Sequence, residues 1–112
     1  MIIAQGSLIL STVSIASGQT TSGIISTEGS SLCGIQLPAA FTGTSLTFLA
    51  ATVVGGPYQP VYNKSGQVSY TVAAGQFIAI DPVDFYGIVF LKIVSNASEA
   101  GARSLICSMK GI

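Results

Sequence analysis

Apolar residues alternate with hydroxyl-bearing and other polar residues along most of this chain, and that period of two limits what it can fold into. In residues 67–73, Val68, Tyr70 and Val72 would point to one side, while the polar residues between them point to the other. No stretch of useful length keeps the apolar spacing of an amphipathic helix. The pattern therefore predicts an all-β chain whose strands each bury one face.

Turn-forming residues separate the alternating segments at short, fairly even intervals. Glycine permits the positive φ of tight turns, and proline fixes its own φ near a value that turns use. One helical turn is expected at residues 82–86, because Asp81 can cap it and Pro82 suits its first position. Between the turns we expect strands near residues 8–15, 21–27, 31–37, 44–52, 58–62, 67–73, 76–80, 88–95 and 103–110.

Short strands at this spacing are typical of a two-sheet antiparallel β-sandwich. We expect a single domain over residues 1–112 with jelly-roll or related Greek-key connections, and an immunoglobulin-like order is the second choice. Residues 1–10 are a candidate intersubunit arm of that domain. The expected core residues are Leu46, Phe48, Val68, Tyr70, Val72, Val89, Leu91, Ile93, Leu105 and Cys107.

Few charges are available to cover the surface of such a domain. The 112 residues include 4 basic and 4 acidic side chains, the formal net charge is zero, and 49% of the residues are hydrophobic. A domain of this size buries about two-thirds of its unfolded surface, so much of the exposed area must be apolar or hydroxylic. Near-neutral proteins with such surfaces tend to associate. The composition predicts a structural subunit that packs against copies of itself or against a larger body.

The same charge balance argues against two classes of partner. The cations Lys64, Lys92, Arg103 and Lys110 are scattered, and zero net charge gives no attraction to nucleic acid or to anionic lipid. Residues 1–16 are apolar but lack the basic start of a signal peptide, and no apolar run approaches the ~20 residues of a membrane helix. We expect a soluble chain without a cleaved leader, and neither a nucleic-acid nor a membrane partner.

Residues for catalysis or metal binding are scarce. Histidine is absent, which excludes a Ser-His-Asp or Cys-His mechanism within one chain. The carboxylates are Glu28, Asp81, Asp84 and Glu99, and only the two aspartates lie close together in the sequence. We interpret Asp81 as a turn cap and Asp84 as solvated or bonded to a nearby amide. The sequence predicts a non-enzyme with no catalytic residue, no metal and no cofactor.

Two pairs of residues have more than one interpretation. Cys33 and Cys107 lie in apolar strand-like segments, and two buried thiols are favoured over a disulfide between the sheets. Tyr58 and Tyr62 flank a loop from which exposed aromatic rings could stack on sugars. Tyrosines in sandwiches more often bury the ring and leave the hydroxyl at the surface, and that interpretation is favoured here.

The amino-terminal residues Ile2, Ile3 and Leu8 are the first candidate interface. They lie before or at the first strand, where a terminal segment can reach beyond its own domain. Free termini are usually disordered unless they are tied down. We therefore expect residues 1–10 to be ordered by contact with a neighbouring chain in a homo-oligomer.

One expected strand is apolar on both faces and supplies the second candidate interface. In residues 88–94 the odd-numbered residues form a good core face, while the opposite face carries Ile88, Phe90 and Val94 around Lys92. Either this is a central strand that is covered on both sides, or the second face meets another subunit. The sequence leaves both interpretations open.

A set of strand-and-turn segments is more distinctive than the alternation alone. The segments are 34–42 (GIQLPAAFT), 45–48 (SLTF), 72–82 (VAAGQFIAIDP) and 84–87 (DFYG), followed by the apolar strand 88–94 and a last strand after Arg103. Together they resemble small structural proteins of tailed bacteriophages, of the capsid decoration or cement type. The resemblance covers roughly residues 32–110, whereas residues 1–31 share only the general strand-like character and none of the specific segments.

The resemblance implies a non-enzymatic virion protein that clamps neighbouring coat subunits. The implied partners are the phage major capsid protein and further copies of the chain, with a trimer favoured over a dimer by analogy with decoration proteins on local threefold axes. The implied location is the outer capsid surface, after synthesis in the bacterial cytoplasm. The alternatives are a tail, adaptor or fibre component of the virion, or a carbohydrate-binding or adhesion module that uses the tyrosines.

Overall fold

In the computed structural model, which describes residues 8–27 and 29–111, the chain is built almost entirely from strands. A 3-10 helix, Pro82–Phe85, lies between the ninth and tenth of them. The all-β prediction is confirmed. The strands are β1 (Leu8–Ile15), β2 (Ile25–Ser26), β3 (Ser30–Gln36), β4 (Ser45–Ala51), β5 (Gln59–Pro60), β6 (Tyr62–Asn63), β7 (Gly66–Gln67), β8 (Ser69–Thr71), β9 (Phe77–Ala79), β10 (Phe90–Ser95) and β11 (Arg103–Gly111).

The longer strands form two antiparallel sheets. Sheet 1 has the order β1-β11-β3-β9, and sheet 2 has the order β2-β10-β4, with β8 and β5 both pairing along the other edge of β4. Within each sheet, a strand from the first half of the chain lies beside a strand from the second half. Along the chain, β1, β2, β3 and β4 belong to sheets 1, 2, 1 and 2 in turn. Together these two features are the jelly-roll arrangement. The short β6–β7 hairpin interrupts the connection between β5 and β8. The chain therefore adopts the jelly-roll order and not the immunoglobulin-like one.

The sheets enclose one hydrophobic core. The Phe48 ring meets the Phe85 ring edge-on, with centroids 5.0 Å apart and an interplanar angle of 83°, so the 3-10 helix is packed onto the core. Full burial of a large aliphatic or aromatic side chain stabilises a fold by roughly 1.5–3 kcal/mol. The predicted core residues that are buried are Leu46, Phe48, Val68, Val72, Leu91, Ile93, Leu105 and Cys107.

Tyr70 and Val89, which were also predicted in the core, are only half-buried. The Tyr70 ring packs edge-on against Phe48, while its hydroxyl accepts a hydrogen bond from the N–H of Asp81 at the surface. Val89 lies in a bend just before β10, and this bend interrupts the alternation. As a result Ile88, which was predicted on the outer face of this strand, packs partly against the core instead.

The predicted helical turn is confirmed as the 3-10 helix Pro82–Phe85. The Asp81 carboxylate accepts a hydrogen bond from the N–H of Val83 at 3.1 Å, and the proline occupies the first turn. The side-chain amide of Asn63 donates to Asp84 at 3.3 Å. Both aspartates therefore have the structural roles that the sequence indicated.

Two of the predicted strands, 58–62 and 67–73, are each divided in two. The division occurs where the chain leaves sheet 2 to form the β6–β7 hairpin. The N–H of Val61 still donates to the carbonyl of Phe48 at 3.0 Å, and the carbonyl of Val61 accepts from the N–H of Val68 at 2.9 Å. The predicted alternation therefore persists on both sides of the hairpin.

Both cysteines are free thiols. Cys107 is fully buried, and its burial raises the pKa of its thiol to about 12. Cys33 is half-buried and lies where the pairing of β3 with β11 shifts register, with its sulfur 3.3 Å from the carbonyl oxygen of Ser108. The structure has the two thiols that the sequence favoured, although Cys33 is less buried than expected.

Candidate interaction surfaces

Large apolar side chains lie in contact with solvent on the outer face of sheet 1. Leu8 and Leu10 of β1 are each 67% exposed, Phe77 of β9 is 63% exposed, and Ile106 of β11 is 38% exposed. Strand alternation puts these side chains opposite the core residues of the same strands. We call this surface, with the polar residues between these four side chains, face 1.

The polar residues of face 1 carry short hydroxyls or, at Gln36, a carboxamide, and almost no charge. Thr12, Ser104 and Ser108 lie on the same side of β1 and β11 as the exposed leucines. Lys110 pairs with Leu8 at one end of this face, and the described strands of sheet 1 contain no carboxylate. Such a surface can bind a partner through apolar burial and hydrogen bonds, with little dependence on salt.

A close approach to β3 positions the Phe77 ring on face 1. A Cβ atom at Gly34 would lie 2.7 Å from Cε1 and 2.9 Å from Cζ of this ring, which is closer than real Cβ atoms come. Gly34 pairs with Ala79, two residues along β9 from Phe77. The glycine therefore lets an exposed aromatic ring lie against the backbone of the neighbouring strand.

The outer face of sheet 2 carries Phe90 and Val94 of the second candidate interface. Both side chains are half-buried. Between them lies Lys92, whose Nζ is 4.4 Å from the centroid of the Tyr58 ring. The Tyr58 hydroxyl in turn donates a hydrogen bond to the carbonyl of Val54 at 2.8 Å. Tyr58 and its loop cover part of this face, so less apolar surface is available here than on face 1.

Of the three amino-terminal interface candidates, Leu8 is the one that the structure describes, as the first residue of β1. Ile2 and Ile3 lie outside the described residues. Leu8 pairs with Lys110 of its own chain, so residues 8–10 belong to the sandwich and do not form a detached arm. The prediction that Leu8 contacts another chain stays a prediction.

The second candidate aromatic residue, Tyr62, is 65% exposed, so the expectation of a buried ring is wrong at this position. Together with Gln59, Asp84 and Ile88 it lines an open cleft of about 350 Å³. Tyr58 does not line that cleft, because its ring lies under Lys92. The two tyrosines therefore do not form a joint aromatic platform.

The buried carboxylate of Glu99, which sequence reasoning did not identify, joins two loops that cross between the sheets and pairs with Arg103. Glu99 is 1% exposed, and its carboxylate accepts hydrogen bonds from the N–H groups of Thr42 at 2.9 Å and Gly43 at 3.2 Å and from Nε of Arg103 at 3.0 Å. Burial alone would raise the pKa of Glu99, but these hydrogen bonds outweigh burial and hold the pKa below its ordinary value. The only sequence signal was an acid four residues before an arginine, which is too common to be informative.

Within residues 8–27 and 29–111, no group of three or more histidine, cysteine, aspartate or glutamate side chains could hold a metal ion. In the same part of the chain, no helix is long and apolar enough to cross a membrane.

Comparisons with known proteins do not assign the chain to a family. No protein-family model matches it, and no curated protein matches it. Among solved structures, the crystal structure of Yersinia pseudotuberculosis-derived mitogen (YPM) is similar at 14% sequence identity and a TM-score of 0.45, covering 96% of this chain and 87% of that chain. A similarity this low does not indicate a function for this chain.

Proposed function

We propose that this protein is a non-enzymatic structural subunit of a bacteriophage virion, and that it decorates the capsid by binding assembled coat subunits. The observation that carries the proposal is face 1, an apolar, hydroxyl-rich and nearly uncharged surface on the outside of a sheet. Isolated soluble domains seldom leave such a surface in water without a partner. The resemblance of residues 32–110 to phage decoration proteins supports coat protein as that partner.

A decoration protein acts through contact area and shape. It stabilises a particle because it binds the assembled coat more tightly than separated subunits. Face 1 is suited to this task, since burial of Leu8, Leu10 and Phe77 stabilises a contact by roughly 25 cal/mol for each Å² removed from water. The hydroxyls between them can satisfy polar groups of the partner, and side chains already held on a sheet lose little freedom on binding.

The first test measures abundance in particles. Virions of the phage that encodes this chain are purified, and the chain and the coat protein are quantified by mass spectrometry. Capsid decoration predicts a copy number comparable with that of the coat protein. A few copies per particle would indicate a tail, adaptor or fibre component instead, and absence from the particle would refute the proposal.

The second test concerns face 1. Phe77→Asp introduces a charge into the exposed apolar surface, and Thr71→Asp introduces the same charge at an exposed strand residue of sheet 2. Particles that lack the protein should bind the wild type and Thr71→Asp equally. They should bind Phe77→Asp about tenfold more weakly or worse, which corresponds to about 1.4 kcal/mol. Equal binding of all three proteins would show that the coat contact lies elsewhere.

A second candidate function, carbohydrate binding, is favoured by Tyr62. Its exposed ring lies beside the polar groups of Gln59 and Asp84 in one open cleft, and a few convergent polar groups next to an aromatic surface suit a small polar ligand. Binding on a glycan array that is lost in Tyr62→Ala and retained in Tyr86→Ala, which truncates a different exposed tyrosine, would support this function. An array without binding would remove it.

A further inference from the structure

We propose that two copies of this chain associate through the open edge of β1. The two β1 strands would lie side by side and antiparallel, so that sheet 1 continues from one copy into the other. This inference identifies a self-contact of the homo-oligomer that the sequence predicts, and it goes beyond the proposed function.

β1 lacks the features that normally prevent pairing at the edge of a sheet. It is the outermost strand of sheet 1 and pairs with β11 along its whole length without a register shift. Its sequence, LILSTVSI, contains no charged residue and no proline. Natural edge strands are usually short, bulged, or protected by charges or proline. The opposite edge of the sheet, β9, is only 3 residues long, so the unprotected edge is that of β1.

Ser14 shows which backbone groups of β1 face the open edge. Its carbonyl accepts a hydrogen bond from the N–H of Gly23 at 3.1 Å, on the side away from β11. The N–H and C=O of one strand residue point to the same edge, and successive residues alternate between edges. The backbone groups of Leu8, Leu10 and Thr12 therefore point to this edge as well. Among residues 8–27 and 29–111, no strand pairs with them there.

The same three residues present their side chains to solvent. Leu8 and Leu10 are each 67% exposed, and Thr12 is exposed beside them on face 1. In strand addition, main-chain hydrogen bonds supply affinity while alternate side chains supply contact. An edge that leaves both kinds of group without a partner fits an added strand better than it fits solvent.

Two β1 strands can pair in a register whose hydrogen bonds use only the unpaired backbone groups of Leu8, Leu10 and Thr12. With Leu10 opposite Leu10 of the second copy, Leu8 lies opposite Thr12 and Thr12 opposite Leu8, and each pair is of the hydrogen-bonded type. A shift of one residue would place outward-facing side chains opposite core-facing ones. A shift of two residues towards the carboxyl end would bring Leu8 opposite Ser14, whose carbonyl is already bound by Gly23.

This pairing predicts a closed dimer with a doubled contact surface. Identical strands paired in an antiparallel sense are related by a twofold axis, so the interface closes on itself. It is the twofold alternative to the trimer that the phage resemblance favoured. The axis runs perpendicular to the joined sheet, because like residues face each other on the same side of it. Face 1 of both copies then forms one continuous surface, which suits contact with a coat.

The test compares two lysine substitutions on face 1. Leu10→Lys and Ile106→Lys add the same charge to the same face, but only Leu10→Lys opposes two cations across the proposed interface. Sedimentation over a range of concentrations should give the wild type and Ile106→Lys twice the chain mass of 11.4 kDa. Leu10→Lys should already dissociate at concentrations about tenfold higher than those at which the wild type dissociates, or show no dimer at all. Circular dichroism should be the same for all three proteins.

Amide hydrogen exchange locates the contact independently. The N–H groups of Leu8, Leu10 and Thr12 should be protected in the dimer and should exchange faster when the protein is diluted to monomer. The N–H of Val13, which points towards β11, should stay protected at both concentrations.

Several outcomes would overturn the inference. These are a wild type that is monomeric at all concentrations, a three-chain mass, and a dimer that Leu10→Lys does not weaken. Protection of the edge amides in a protein that sediments as a monomer would also overturn it, because the same chain would then cover the edge. The sedimentation and exchange experiments use the isolated protein, without particles. Self-pairing and particle binding can therefore each succeed or fail without the other, and the two proposals are tested separately.

Discussion

Replacement of Glu99 with glutamine should destabilise the fold by about 2–4 kcal/mol at pH 7, although the two side chains have nearly the same shape. The carboxylate holds the N–H groups of Thr42 and Gly43 and the Nε of Arg103 within 2.9–3.2 Å. Each hydrogen bond to a charged group stabilises a fold by about 1.5–3 kcal/mol. Removal of an ionised carboxylate from water opposes this gain by several kcal/mol. The expected loss is therefore smaller than the sum of the individual bonds.

The loss comes mainly from donors that no longer have an acceptor. Glutamine keeps one oxygen but replaces the other with an NH₂ group, which can only donate. Since all three partners of Glu99 are donors, at least one of them would face another donor in a buried site. A buried donor without an acceptor costs about 1–3 kcal/mol. Arg103, whose side chain is only 18% exposed, would also lose the partner that neutralises it.

Urea unfolding monitored by circular dichroism measures this loss. Asp84→Asn is the matched control, because it makes the same carboxylate-to-amide change at a carboxylate whose one hydrogen-bond partner among residues 8–27 and 29–111 is the exposed side chain of Asn63. The control should change the free energy of unfolding by less than about 0.5 kcal/mol. A Glu99→Gln variant as stable as this control would refute the reasoning.

Acid should remove the difference between the wild type and Glu99→Gln. The folded-state pKa of Glu99 lies below its ordinary value of 4.5. The ionised form therefore stabilises the fold fully above that value, and the stabilisation is lost as the pH falls through it towards the folded pKa. The gap in unfolding free energy should shrink below pH 4.5. A gap that widens in acid would contradict the assigned role of the carboxylate.

Three further predictions concern the core and the thiols. Leu91→Ala should lower the free energy of unfolding by about 2–5 kcal/mol in urea titration, because it leaves a cavity between the sheets. Gly43→Ala should cost about 1–3 kcal/mol through overpacking against buried neighbours, whereas Gly55→Ala, with no atom within 4 Å of the added Cβ, should have little effect. Alkylation at pH 8, followed by mass spectrometry, should leave Cys107 unmodified in the native protein and modify it after unfolding. Cys33 is the internal reference, and equal native labelling of both thiols would contradict the assigned burial.

The sequence predicted the strands well because long strands such as β1, β4, β10 and β11 bury one face, so that alternation records burial directly. It failed where the backbone departs from a regular strand. The bend at Val89 turns Ile88 towards the core and leaves Val89 half-buried, and the hairpin after Val61 divides two strands. The choice between jelly-roll and immunoglobulin-like order was also not available from alternation. A pattern states which side of a strand is buried but not which strand lies beside it.

The candidate surfaces were less predictable, because they depend on contacts between distant parts of the chain. Exposure of Leu8 was anticipated, but the apolar face also requires Phe77 and Ile106, which come together only through the β11-β3-β9 pairing. The two backbone donors to Glu99, the N–H groups of Gly43 and Thr42, lie 56 and 57 positions away in the sequence. No local pattern records such a partner, whereas the cap at Asp81 was predicted because its partner is two residues away.

The internal use of charge explains why the surface is even less charged than the composition indicates. Glu99 and Arg103 neutralise each other under the loops, Asp81 caps the 3-10 helix, and Lys92 lies over an aromatic ring. The paired Glu99 and Arg103 therefore do little to steer an approaching partner or to repel a second copy. On face 1 this leaves Lys110 beside an apolar and hydroxylic surface that ends at the unprotected edge of β1. The two proposed associations would therefore be driven by apolar burial on face 1 and by backbone pairing at the open edge of β1.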